Sequence, residues 1–166
     1  MPSYTHLAYR RNAKAAARNQ QIKKPKNLEA LKEAREDFGY FCDYVADKPP
    51  AYHHKEWNRK FVTNEDSSCL IKIAGPNIDL LAPRGSAKST VLGLLTAWAI
   101  GVHTQAGLPL QVLYLSYTVD IARSKSATIK RIIESKRYQE VFPKVRLLKN
   151  VTSNEYWSID HKFAGI

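Results

Sequence analysis

A lysine followed by two hydroxyl residues, Lys88-Ser89-Thr90, closes a short glycine-containing segment that begins at Ala82. In the phosphate-binding loop G-x-x-x-x-G-K-[ST], backbone N–H groups surround the phosphates, the lysine reaches the β and γ oxygens, and the hydroxyl binds Mg²⁺. We therefore predict that this segment binds ATP, with Ser89 as the Mg²⁺ ligand. The predicted nucleotide-binding residues are Arg84, Gly85, Ser86, Ala87, Lys88, Ser89, Thr90 and Trp57.

The segment departs from the usual loop at both outer glycines, which are Ala82 and Ala87 here. Alanine is less favourable than glycine wherever the backbone needs a positive φ or a very close approach. Gly85 remains as the flexible point.

Apolar runs on both sides of the loop must position it. An apolar stretch from Val91 to Val102 predicts a helix buried on nearly all sides, and Ile121, Ile129, Ile132 and Ile133 mark the inward face of a second helix over Val119 to Lys136. Short apolar runs predict strands at Cys69–Ala74, Ile78–Ala82 and Val112–Leu115, with further strands at Val145–Leu148 and Tyr156–Ile159. Strands that alternate with helices indicate an α/β fold: an incomplete parallel sheet of the P-loop NTPase type, flanked by helices.

Two helices are expected ahead of the loop. The apolar spacing from Leu28 to Val45 predicts one helix that stops before Pro49-Pro50, and a second is expected from about His53 to Val62. Trp57 and Phe61 lie four residues apart, so they belong either to the core or to a platform for adenine. Adjacent His53 and His54 point apart, and no carboxylate or cysteine cluster stands at the spacing of metal ligands.

The charge of the chain favours a polyanionic partner. Lys and Arg number 26 against 15 Asp and Glu, a net charge of +11, and seven of these basic residues lie in residues 1–27, which contain no acidic residue. We expect residues 1–27 to form a basic arm, either a solubilising tail or a segment that contacts DNA or another protein.

The two cysteines fit a reducing compartment. No apolar run has the length of about 20 residues that a membrane span needs.

Several of these stretches resemble the large subunit of tailed-phage terminases, the motors that drive viral DNA into a capsid. The loop at 81–90 is similar to that family's variant loop, which has Arg-Gly early and lacks the first glycine. The other similar stretches are 41–44 with 53–57, 113–122, 138–143 and 157–160.

The resemblance implies that residues 28–166 are the N-terminal portion of an ATPase domain. Lys88 and Arg84 would be its catalytic residues; Arg84 is equally well explained as a γ-phosphate sensor or as a surface arginine. Asp120 is either a functional acid or a residue beside a helix cap. The resemblance further implies double-stranded DNA as a partner, a homo-oligomeric ring, contact with portal and small terminase subunit, and action in the host cytoplasm.

Hydrolysis in this class needs an apolar strand that ends in Asp and is followed by a Glu that activates water. The sequence contains no such strand, since Ile159-Asp160 has only one apolar residue directly before the acid. We expect a fragment that also lacks the nuclease domain, or else a small protein that binds nucleotide with little turnover. A helicase-like or DNA-repair ATPase, and a non-enzymatic basic protein that binds nucleic acid, are the alternatives.

Overall fold

The computed structural model describes residues 28–63, 72–73, 79–108 and 110–160. The chain separates into two compact units, residues 1–30 and 31–166, and the second unit holds every element below apart from the start of the first helix. The basic arm at 1–27 and most of the expected strand at 69–74 lie outside the described residues.

The described part of the chain is mostly helical. Its helices are α1 (Leu28–Glu36), α2 (Phe38–Ala46), α3 (Tyr52–Phe61), α4 (Lys88–Gln105), α5 (Val119–Glu134) and α6 (Lys136–Val141). Its strands are β1 (Val62–Thr63), β2 (Lys72–Ile73), β3 (Leu147–Thr152) and β4 (Trp157–Ile159). They form two separate two-stranded sheets, β1 with β2 and β3 with β4, and both pairs are antiparallel.

The predicted parallel α/β sheet is therefore wrong. Within the described ranges no two strands run parallel, and no P-loop type of sheet is formed. Residues 79–82 and 112–115, two expected strands, belong to no strand. The strands expected near 145–148 and 156–159 do exist as β3 and β4, but they pair with each other as an antiparallel hairpin.

The segment at 112–115 shows why the apolar run was misleading. Its side chains are largely outside the core, since Leu113 is 82% exposed and Leu115 is 80% exposed, and the following Tyr117 is 98% exposed. A short apolar run predicts burial, but the run itself does not specify a hydrogen-bonding partner for its backbone. Here the run has no regular secondary structure and lies in the connection between α4 and α5.

Asp37 divides the long helix expected from Leu28 to Val45 into α1 and α2. Its backbone is extended, and its side chain accepts a hydrogen bond from the Tyr40 amide at 2.6 Å, so Asp37 caps α2. The apolar spacing continues across this break, and both helices bury residues in one core. The same periodicity therefore fits two helices as well as one.

Helix α4 forms the centre of the core, as its apolar composition predicted. Nine of its residues are buried: Val91, Leu94, Ala97, Trp98, Ala99, Ile100, Gly101, Val102 and Thr104. Among the described helices, including α4, none combines the length and apolar character needed to cross a membrane.

Helices α2, α4 and α6 meet in an aromatic cluster, which consists of Phe38, Phe41, Trp98, Tyr138 and Phe142. Two of its polar atoms are satisfied by backbone carbonyls: the Tyr138 hydroxyl donates to Ala97 at 2.9 Å and Trp98 Nε1 donates to Ala34 at 3.1 Å. Burial raises the pKa of Tyr138, so this hydroxyl stays a donor. Burial and, to a smaller extent, nearby Asp37 raise the pKa of the adjoining Cys42 thiol to about 12, which leaves it unreactive.

Two glycines of α4 give a matched test of this packing. A Cβ added at Gly101 would clash with the ring of Phe142, whereas one added at Gly93 would meet only Ile129 Cγ1 at 3.8 Å among the described residues. We expect Gly101→Ala to lower the free energy of unfolding by about 1–3 kcal/mol through overpacking. Gly93→Ala should raise it by up to about 1 kcal/mol through helix propensity. Urea unfolding measures both, and equal effects of the two changes would contradict the packing described.

The exposed segment gives a second test. We expect Leu115→Ser to change the free energy of unfolding by less than about 0.5 kcal/mol, because the side chain lies largely in solvent. Ile133→Ala, at a fully buried site of α5, should cost about 2–5 kcal/mol. A loss of several kcal/mol for Leu115→Ser in the same urea experiment would restore the buried strand that the sequence suggested.

Candidate nucleotide-binding site

The loop ahead of α4 begins with a tight turn. The Ser86 amide donates to the Pro83 carbonyl at 3.3 Å, and Gly85, at the third position of this turn, has φ of 87°. A turn with positive φ at its third residue favours glycine there. A Cβ at Gly85 would meet nothing within 4 Å, so the backbone conformation rather than space favours glycine.

Ala87 occupies the left-handed region directly before α4, with φ of 56° and ψ of 18°. Within the described residues, Ala87 and Asp47 are the non-glycine residues with positive φ. For alanine this conformation costs about 1–2 kcal/mol relative to the right-handed region. The position that carries glycine in the usual phosphate loop thus keeps the glycine conformation here, although the residue is alanine.

Four amides at the junction of loop and helix have no partner among the described residues. The Thr90 and Val91 amides both donate to the Ala87 carbonyl, at 2.9 and 3.0 Å. Within the described part of the chain no hydrogen bond uses the backbone N–H groups of Gly85, Ala87, Lys88 and Ser89. Free amides at a helix start, together with the helix dipole, form a surface that attracts anions.

The side chains around this junction add positive charge. Lys88 is half-buried at the first position of α4, and Arg84, Ser89 and Thr90 are exposed. Within the described residues neither Lys88 nor Arg84 forms an ion pair. Cations at a helix N-terminus oppose its dipole, and a bound anion would offset that unfavourable interaction.

A cavity of about 230 Å³ opens beside the first turn of α4. Its apolar floor comes from α4 and α5. Among the described residues, its polar lining consists of Lys48, Lys125, Ser89, Thr90, Thr128 and Tyr114 and includes no carboxylate. Ligand clefts usually measure roughly 300–1,000 Å³, so this space suits a phosphate group better than a whole nucleotide.

Helix α3 reaches the loop through His54. Its Nε2 lies 2.8 Å from the Ser86 carbonyl oxygen, and its Nδ1 lies 3.2 Å from the Ala51 amide. The rings of His53 and Trp57 pack on His54, with centroids 4.0 and 5.1 Å away. The sequence placed His54 in the stretch 53–57 that resembles the terminase family and argued against metal ligation by it, but it did not predict a contact with the loop. The third position of His54 in α3 was the available signal for a capping role.

The other expected site residues are not brought together with the loop by any described contact. Trp57 is half-buried against the core, and among the described contacts it touches His54 but no residue of the loop. This position favours a packing role for Trp57 over contact with adenine. The Asp120 side chain is 93% exposed and lies 3.7 Å from Arg123, while Thr118 caps α5. The side chain of Phe61 lies outside the described residues. No group of three or more His, Cys, Asp or Glu that could hold a metal ion occurs in the described ranges.

The strained alanine gives a testable prediction. We expect Ala87→Gly to raise the free energy of unfolding by about 0.5–1 kcal/mol, because the relief of left-handed strain exceeds the added entropy of the unfolded chain. Ala127→Gly, in the right-handed interior of α5, should instead lower it by about 1 kcal/mol. Urea unfolding distinguishes the two signs, and destabilisation by Ala87→Gly would show that Ala87 is not held in the left-handed region.

Comparisons with protein families, with curated proteins and with solved structures found no match to this chain. What the chain binds is therefore inferred from its own residues.

Proposed function

We propose that this chain binds ATP with Mg²⁺ through residues 82–90 and serves as the ATP-binding part of a viral DNA-packaging motor of the terminase large-subunit type. Lys88 would contact the β- and γ-phosphates, and Ser89 would ligate Mg²⁺. Arg84 would stabilise negative charge on the γ-phosphate. Gly85, Ser86, Ala87 and Thr90 would complete the cradle around the phosphates.

The observation that carries this proposal is the left-handed conformation of Ala87 next to Lys88. A non-glycine residue in this region is costly and persists where the surroundings impose it, and such residues cluster at ligand-binding sites. The conformation occurs at the position where a phosphate loop has glycine, and it is followed by the lysine and hydroxyl that phosphate and Mg²⁺ need.

The charge distribution supports the same ligand. Two cations of the loop lack a carboxylate partner in the described part of the chain, and two further lysines line the neighbouring cavity. A triphosphate would offset the positive charge of Lys88 and Arg84, while a neutral ligand would not. The described part of the cavity lining contains no carboxylate, which supports binding more than efficient hydrolysis, because hydrolysis needs an acid near the attacking water.

The parallel sheet expected around the loop is no part of this proposal. A helix N-terminus binds anions through its own amides and dipole, whichever elements pack around it. The proposal therefore rests on the local geometry between Pro83 and Thr90.

The motor role rests on the resemblance in residues 41–57, 81–90, 113–122, 138–143 and 157–160. With a net charge of +11, the chain is suited to double-stranded DNA, and the basic residues 1–27 would contribute most to that contact. A homo-oligomeric ring, the portal, the small terminase subunit and action in the host cytoplasm belong to the same proposal.

The test is a titration of the chain with ATP and Mg²⁺ by calorimetry. We expect Lys88→Ala to weaken ATP binding at least about tenfold, because a charge-assisted hydrogen bond to phosphate is lost. Circular dichroism should show an unchanged helical fold.

Lys144→Ala is the matched control, since Lys144 is an exposed lysine in a turn after α6 and its loss changes the net charge equally. It should alter ATP affinity by less than about twofold, as expected for a distant exposed charge in salt. Equal affinity of wild type and Lys88→Ala for ATP would exclude the phosphate-binding role of this loop.

A further inference from the structure

We infer that His54 is a positioning residue of the ATP site: its Nε2–H holds the Ser86 carbonyl and thereby sets the direction of the Ala87 amide. This inference rests on the proposed function of the loop. It assigns to helix α3 a direct part in shaping the phosphate-binding segment.

The protonation of the His54 ring follows from its two contacts. The Ala51 N–H donates to Nδ1 at 3.2 Å, so Nδ1 carries a lone pair and no proton. The neutral ring then has its proton on Nε2, which lies 2.8 Å from the Ser86 carbonyl oxygen and donates to it. The same ring therefore caps its own helix with one nitrogen and holds the loop with the other.

The capping contact fixes where the ring can lie. His54 is the third residue of α3, and a side chain at this position that reaches back to the amide before the helix is one half of a capping box. The His54 and Lys55 amides both donate to the Ala51 carbonyl, at 3.0 and 3.2 Å, so the first hydrogen bonds of α3 are made to Ala51, the residue directly before the helix. Packing of His53 and Trp57 on the ring restricts it further.

The loop contact acts on the peptide that joins Ser86 to Ala87. In a planar trans peptide the C=O and the N–H point in opposite directions. A Ser86 carbonyl held toward His54 therefore directs the Ala87 N–H away from α3. That amide is one of the four without a partner in the described part of the chain, and its orientation is coupled to the left-handed φ of Ala87.

Two substitutions separate this role from simple helix capping. In His54→Gln the side-chain amide can place an N–H near the former Nε2, within reach of Ser86. In His54→Asn the shorter side chain can still accept from the Ala51 amide but does not reach the loop. Asn and Gln can both accept from the Ala51 amide, so a capping role alone predicts equal ATP binding by the two variants, whereas a positioning role predicts rescue by Gln and not by Asn.

The experiment is a calorimetric titration of the full chain with ATP and Mg²⁺. We expect His54→Gln to bind within about threefold of wild type and His54→Asn to bind about tenfold more weakly, the effect of one lost hydrogen bond. Lys144→Ala, the exposed control used for Lys88→Ala, should again stay within about twofold of wild type. Nitrogen-15 spectra of wild type should show a protonated Nε2 and an unprotonated Nδ1 at His54.

The outcomes separate the inference from the function on which it depends. If wild type binds no ATP, the proposed function fails. If wild type binds ATP and His54→Asn binds equally well, or if Gln is as weak as Asn, the function stands and the positioning role is overturned. A proton on Nδ1 of His54 would overturn it as well.

Discussion

The anchoring of helix α4 at its middle is the constraint on which the other elements depend. The Tyr138 hydroxyl of α6 donates to the α4 backbone at Ala97, and the Trp98 side chain of α4 donates to the α1 backbone at Ala34. Phe142 lies where any side chain at position 101 would have to be. A helix is stiff over several turns, so fixing this section also fixes its first turn. The loop before Lys88 therefore starts from a rigid support, although the loop itself is mostly exposed.

Helices α3, α4 and α5 could be predicted from the sequence because the patterns that indicate them lie within each helix or directly beside it. Apolar spacing lies within each segment, and Thr118 caps α5. Helix α4 could be recognised as central from its apolar residues on every side. The break at Asp37 was missed because a capping aspartate between two helices does not interrupt the apolar spacing. Helix α5 was placed correctly, but Ile121, expected to face inward, is 46% exposed in its first turn.

The sheet could not be predicted in the same way because strand pairing is not local. Residues 112–115 have the composition of a buried strand, yet their burial would depend on a neighbouring strand elsewhere in the chain. At the loop, the sequence identified the residue types at positions 84–90 and raised the question of alanine in place of glycine. It could not show that Ala87 adopts the left-handed conformation, or that His54, far away in sequence, holds Ser86.

The left-handed Ala87 also has a consequence for how the free energy of this chain is divided. Strain that is already present in the unliganded protein lowers its free energy of unfolding. The same strain does not oppose the binding of a ligand a second time. A loop that already has its bound conformation loses little entropy on binding. More of the interaction free energy of each contact then contributes to affinity. With the proposed function, thermal stability and ATP affinity would therefore oppose each other at one residue, and selection for either property would act on the Cβ of Ala87.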